Sequence, residues 1–111
     1  MHATPTPLRG WLQAMPKAEL HLHLDGSLRP STALELARKR DLSDALPDVA
    51  AMRDRLVAPR RCADQAELLR AFDLPIALLQ DARALERVTA ELVEDVAGEG
   101  SVWAGAWSRA G

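Results

Sequence analysis

The chain has 111 residues, 48% of them apolar and 27% charged, with a formal net charge of −2 and one cysteine, Cys62. This length is enough for one small domain, the charge balance gives no reason to expect nucleic-acid binding, and a single cysteine excludes an internal disulfide. No apolar run approaches the ~20 residues of a membrane helix and the N-terminus lacks the apolar core of a secretory signal, so we expect a cytoplasmic protein without membrane contact.

The N-terminal residues precede the first regular element. Residues 1–9 contain several Pro and Thr residues and are predicted to be a disordered lead. A short helical turn is expected over residues 11–15, and Pro16 ends it because proline lacks the amide donor that a helix interior needs.

A strand with alternating character is predicted over residues 18–24. Alternate side chains of a strand share a face, and the polar face here carries Lys17, Glu19, His21, His23 and Asp25. Two imidazoles two residues apart can converge on one metal ion, so His21 and His23 are candidate metal ligands. Gly26 ends the strand where a ligand or another backbone can approach closely. The alternative is an ordinary amphipathic strand with a solvated polar face.

Helices are predicted for most of the remaining chain. The first begins near Pro30 or, by its capping-box spacing with Glu35, near Thr32. A short helix is expected within residues 48–58, and another from Asp64 through residue 72 before Pro75 kinks or restarts it.

The longest predicted helix covers residues 81–97, with Gly98 as its C-terminal stop, and a second strand follows at 101–104. The order strand, helices, strand predicts one right-handed parallel crossover, and therefore an α/β fold.

The segment 15–30, MPKAELHLHLDGSLRP, resembles the opening motif of the adenosine deaminase family, zinc hydrolases of the amidohydrolase superfamily. The resemblance implies that His21 and His23 bind the catalytic zinc and that His23 and Asp25 contact a purine nucleoside. It also implies hydrolytic deamination of adenosine or deoxyadenosine to inosine in purine salvage. Asp25 favours adenosine, because relatives that act on adenine or aminofutalosine often carry glutamate there.

The same resemblance implies a TIM (β/α)8 barrel, which needs roughly 250 residues. We therefore expect residues 10–111 to be a truncated, helix-rich N-terminal portion of the catalytic domain, with about two of the eight strands. The remaining histidine, His2, lies in the N-terminal lead, so no third histidine ligand and no catalytic acid or base can be assigned. The chain is accordingly expected to be an inactive fragment, and its oligomeric state stays open.

Several alternatives stay open. Glu19 either supports an imidazole from the same strand face, or is a carboxylate that fills a packing layer or pairs with Lys17. The chain is alternatively a fragment of an adenine or aminofutalosine deaminase, or a non-catalytic binding protein that reuses the metal motif. From Gly105 onward the sequence departs from the family pattern, with Trp107 where the family has a charge, which suggests a changed reading frame.

Overall fold

The computed structural model describes residues 6–107, with Thr6 described by its backbone alone. Strand β1 spans Lys17–His23 and strand β2 spans Ser101–Trp107, and the two strands pair in parallel. The chain between them is helical, so the predicted α/β arrangement with a parallel crossover is confirmed. Strand β2 begins at Ser101, as predicted, while residues 108–111 lie outside the described part of the chain.

The first helix, α1, spans Thr6–Ala14 and is longer than the predicted turn. Residues 6–9, which we predicted to be disordered, are helical, whereas residues 1–5 are not described. Leu8, Trp11 and Leu12 follow the spacing of a helix face, and Pro7 is tolerated because it lies in the first turn, where no intrahelical amide bond is needed.

Lys17 closes the C-terminal end of α1. Its Nζ donates to the carbonyl oxygens of Leu12 at 2.6 Å, Gln13 at 3.1 Å and Met15 at 2.9 Å. The last carbonyls of a helix lack intrahelical donors, so a lysine ammonium satisfies them favourably. Lys17 is used in this way, and the ion pairs found among residues 6–107 do not include one between Lys17 and Glu19, so that predicted pair is not observed.

Helix α2 spans Pro30–Lys39, with Arg29 as the residue before it and Pro30 at its first position. The alternative start at Thr32 is therefore wrong. The Thr32 side chain is buried and donates to Glu91 Oε2 at 2.7 Å, so a contact with a distant helix uses the hydroxyl that a capping box would need.

The other helix starts follow the sequence signals closely. Helix α3 spans Val49–Leu56, α4 spans Gln65–Leu69, and α6 spans Ala82–Gly98. An aspartate caps each, because Asp48, Asp64 and Asp81 accept from a backbone amide three residues ahead. A 3₁₀ turn over Arg70–Phe72 separates α4 from α5, which spans Asp73–Leu78, so the chain restarts a helix around Pro75 as predicted.

Long side chains join α2 to α6 in an antiparallel series. At one end Arg29 donates to Asp95 Oδ1 at 2.8 Å and to Glu94 Oε2 at 3.0 Å. Hydrogen bonds with Asp95 and Glu94 raise the pKa of the Arg29 guanidinium. At the other end Arg40 pairs with Asp81 at 2.7 Å. The series ties the turn that follows β1 to the longest helix.

The core lies among the helices and the turn after β1. The buried apolar residues are Leu24, Leu28, Ala33, Leu34, Leu36, Ala37, Met52, Leu78, Leu79, Ala84, Val88 and Leu92. The sheet itself contributes little to this core, since Leu20 is 75% exposed and Val102 is 78% exposed. Within residues 6–107, no helix has the length and apolarity needed to cross a membrane.

Candidate metal centre

The two histidines of β1 converge at the carboxyl end of the strand. His21 Nε2 and His23 Nε2 lie 3.2 Å apart, and the ring centroids are 5.0 Å apart. Two imidazole nitrogens that each lie 2.0–2.1 Å from a tetrahedral zinc ion are about 3.3–3.4 Å from one another. The spacing of the two nitrogens therefore fits two adjacent ligands of one zinc ion.

A β-bulge sets the position of His21. In the strand register Glu19 aligns with Ala104 and Leu22 aligns with Ala106, so β1 contains one extra residue opposite Gly105. A Cβ at Gly105 would lie 3.2 Å from the Leu20 carbonyl oxygen, so glycine lets the bulged backbone approach. The predicted strict alternation is broken here, yet the imidazoles of β1 still meet.

Asp25 lies beside His23 but outside the strand. Strand β1 ends at His23, and a 3₁₀ turn over Leu24–Gly26 carries the aspartate. The Asp25 side chain is 0% exposed, and its Oδ1 lies 3.9 Å from His23 Nδ1. Because Nδ1 and Nε2 are on different sides of an imidazole, Asp25 faces the side of His23 that points away from His21. The predicted placement of Asp25 on the strand face is thus corrected to a buried turn position.

Phe72 packs against the other side of this turn. Its ring lies edge-on to His23 with centroids 5.7 Å apart. A Cβ at Gly26 would lie 3.1 Å from Phe72 Cε1, so the close approach predicted at Gly26 comes from an aromatic side chain. The turn is fixed further by Ser27, whose hydroxyl donates to the His23 carbonyl at 2.6 Å.

His21 has a different neighbour. The indole of Trp107 stacks on its ring, with centroids 6.1 Å apart and an interplanar angle of 22°. Among the described residues Glu19 forms no hydrogen bond or ion pair with either imidazole, so its predicted supporting role is not observed.

A cavity of about 180 Å³ opens next to Asp25. Its lining is largely apolar and comes from the turn after β1 and from the segment 56–75: Asp25, Gly26, Leu28, Leu56, Ala58, Leu68, Ala71, Phe72 and Pro75. Small-molecule sites in proteins have this character, with apolar walls and a few polar groups.

His21 and His23 are two candidate ligands, fewer than the three protein ligands of a usual catalytic zinc site. No group of three or more His, Cys, Asp or Glu side chains within residues 6–107 is arranged to hold a metal ion. The sequence identified His21, His23 and Asp25, and the structure brings them together. The sequence did not identify Phe72, because Phe72 resembled any other apolar residue of a helix. It also did not identify the stack between His21 and Trp107.

Comparisons with known proteins agree with this picture. Residues 16–106 match the family model described as adenosine deaminase. The adenosine deaminase of Vibrio vulnificus is 44% identical over 85 residues, which are 77% of this chain and 26% of that protein. The adenosine deaminase of Clostridium perfringens is 46% identical with the same coverage.

Solved structures show the same likeness. An ADAL–IMP complex matches with a TM-score of 0.66 and 38% identity, over 90% of this chain and 28% of that one. The N6-methyl-AMP deaminase of Arabidopsis thaliana matches with a TM-score of 0.65 and 36% identity, over the same shares. The chain thus spans about a quarter of the length of the relatives that it matches.

Proposed function

The chain belongs to the adenosine deaminase family, and from this premise we propose that it forms the first part of the active site of a zinc-dependent deaminase. Its two strands and the helices between them match the N-terminal portion of a deaminase TIM barrel. The observation that carries the proposal is the 3.2 Å distance between His21 Nε2 and His23 Nε2 at the carboxyl end of β1. Barrel enzymes place their active sites at that end of the strands.

The proposed reaction is hydrolysis of adenosine or deoxyadenosine to inosine and ammonia, in cytoplasmic purine salvage. A bound zinc lowers the pKa of a coordinated water to near neutrality and so supplies the nucleophile. His21 and His23 would hold the ion through their Nε2 atoms, 3.2 Å apart, which requires that neither Nε2 carries a proton. The Asp25 carboxylate lies on the Nδ1 side of His23, at 3.9 Å, the side from which a carboxylate commonly orients a zinc-bound imidazole.

The cavity beside Asp25 provides the proposed binding region for the nucleoside. Its walls, formed by Leu56, Leu68, Phe72 and their neighbours, are largely apolar. Asp25 is the charged side chain in the lining of this cavity. His23 lies next to Asp25, with its Nδ1 3.9 Å from Asp25 Oδ1, and we propose that both residues contact the nucleoside. We propose that the segment 56–75, which supplies most of this lining, covers the nucleoside from one side.

Two histidines are one protein ligand short of a catalytic zinc site, which normally has three. We therefore propose that the 111-residue chain binds zinc weakly and does not turn over adenosine by itself. The chain's further histidine, His2, lies outside the described residues.

Zinc titration of the chain by calorimetry tests the ligand pair. We expect His21→Ala and His23→Ala each to abolish measurable binding, because a single imidazole does not chelate. His2→Ala is the matched control and keeps the affinity of the unmodified chain. Binding that survives His21→Ala, or that is lost with His2→Ala, contradicts the ligand assignment.

A chimaera tests the activity. Residues 16–106 replace the matching segment of the Vibrio vulnificus adenosine deaminase, and ammonia release from adenosine is measured. We expect the chimaera to be active, His23→Ala to abolish turnover, and Asp25→Ala to raise KM for adenosine while zinc content is retained. An inactive chimaera with full zinc content contradicts the proposal.

Deamination of a nucleoside monophosphate is the second candidate, because the matched structures include an N6-methyl-AMP deaminase and an IMP complex. The chimaera distinguishes the two when adenosine and N6-methyl-AMP are compared at equal concentration. A fragment of an adenine or aminofutalosine deaminase, and a non-catalytic protein that reuses the motif, remain alternatives. Tight stoichiometric zinc retention by the 111-residue chain favours the last.

A further inference from the structure

The imidazoles of the proposed ligand pair are held by different means. His23 has Asp25 on its Nδ1 side and the edge of Phe72 against its ring. His21 is exposed, and apart from His23 its only ring contact among the described residues is the stacked indole of Trp107. An exposed imidazole on a bulge rotates readily unless something fixes its plane.

The position of Trp107 suits that task. It is the last residue of β2, aligned with His23 in the parallel register, and its indole reaches back along the sheet to the ring of His21. With 22° between the planes, the arrangement is close to stacked, and such a pair restricts ring rotation and favours one orientation. In that orientation the Nε2 of His21 points at the Nε2 of His23.

We propose that Trp107 is a positioning residue for the metal site: its indole holds the His21 imidazole in the plane that lets both Nε2 atoms reach one ion. This inference rests on the proposed function, because it assumes that the pair binds zinc. Trp107 lies one residue beyond the segment that matches the family model. An aromatic face takes the place of the carboxylate or carbonyl that usually orients a zinc-bound histidine.

The test uses the 111-residue chain with Trp107→Ala, Trp107→Phe and, as the matched control, Trp103→Ala. Trp103 lies in the same strand and is also exposed, but it makes no ring contact with either histidine among the described residues. Zinc affinity is measured by calorimetry, and NMR of the metal-free chain measures the ring-proton shifts of His21. Thermal unfolding of every variant shows whether the fold has changed.

We expect the indole to shift the His21 ring protons upfield in the unmodified chain, and Trp107→Ala to remove that shift. Trp107→Ala should weaken zinc binding about threefold to tenfold, the range that an aromatic pair supplies. Trp107→Phe should restore most of the affinity and Trp103→Ala should leave it unchanged, with no accompanying change in the unfolding temperature.

Other outcomes overturn the inference in distinguishable ways. A lost ring shift with unchanged zinc affinity removes the role of Trp107 and leaves the ligand pair intact. If Trp103→Ala weakens zinc binding as much as Trp107→Ala does, the loss comes from disturbing β2 and not from the stack on His21. Absence of zinc binding by the unmodified chain overturns the proposed ligand pair itself, and the positioning role with it.

Discussion

Gly100 connects α6 to β2 in a left-handed backbone conformation with φ of +86°. A Cβ there would lie 2.8 Å from the Gln13 carbonyl oxygen and 3.3 Å from that of Met15. The Gly100 carbonyl also accepts the Lys17 amide at 3.1 Å, so this residue fixes the start of both strands. Only glycine combines this φ with so close an approach of two backbone segments.

Gly100→Ala should therefore destabilise the chain by more than ~1 kcal/mol, because the substitution adds backbone strain and a steric clash. Gly98→Ala is the matched control: it lies at the end of α6, where an added Cβ would meet no atom of the described residues within 4 Å. We expect it to be neutral or slightly stabilising, since alanine favours helix. Urea unfolding followed by circular dichroism measures both, and equal stability of the two variants contradicts the argument.

At the scale of elements, ion pairs join α2 to α6, and one of their carboxylates, Asp81, also caps a helix. Asp81 caps α6 and pairs with Arg40, and its pKa is lowered by the hydrogen bond from the Ala84 amide and then by that from Arg40. Glu35 pairs with Arg87, whose hydrogen bond lowers the pKa of the carboxyl. A lowered pKa means that the ionised form favours the folded state.

The sign of the pH dependence follows from Asp81. Its stabilising contribution is complete above the ordinary value of 3.8 and is lost as the pH falls through the lowered pKa. We expect the chain to lose this stability as the pH falls below the ordinary value of 3.8, and Asp81→Asn to show a shallower loss, since asparagine still caps a helix but does not titrate. Asp54→Asn is the control, because Asp54 neither caps a helix nor forms an ion pair among the described residues. Unfolding in urea across this pH range measures the slopes, and identical slopes for Asp81→Asn and the unmodified chain exclude the contribution.

The sequence predicted those elements whose ends have local causes. Asp48, Asp64 and Asp81 precede their helices because a short carboxylate reaches the amides of the first turn, and this is visible from neighbouring residues. Thr32 misled the prediction because its hydroxyl is used by Glu91, which is remote in the chain. Local spacing does not encode such a contact.

The candidate site also combines features that neighbouring residues determine with features that depend on contacts between distant segments. The period of two along β1 identified the two histidines, because side-chain alternation is a local property. The bulge opposite Gly105, the packing of Phe72 on His23 and the stack of Trp107 on His21 depend on how distant segments meet. These contacts fix the geometry of the pair, and only the structure reveals them.

At the scale of the whole molecule, the helices carry the core while the sheet stays largely uncovered. Leu20 and Val102 are exposed on β1 and β2, and in a two-stranded sheet each strand also has an unpaired edge. Parallel sheets normally have both faces covered, and exposed edges promote pairing with other chains. The apolar sheet surface is thus the part of the molecule with the strongest tendency to associate.

We expect the purified chain to self-associate in a concentration-dependent manner through this surface. Leu20→Lys combined with Val102→Lys should shift it towards the monomer, because two ammonium groups on adjacent strands oppose edge pairing and burial. Val93→Lys is the control, since Val93 is also exposed, at 59%, but lies on α6; it should leave the association unchanged. Sedimentation velocity over a range of concentrations measures the distribution of species. If the unmodified chain is monomeric throughout, or if Val93→Lys disperses it equally well, the sheet is not the surface that associates.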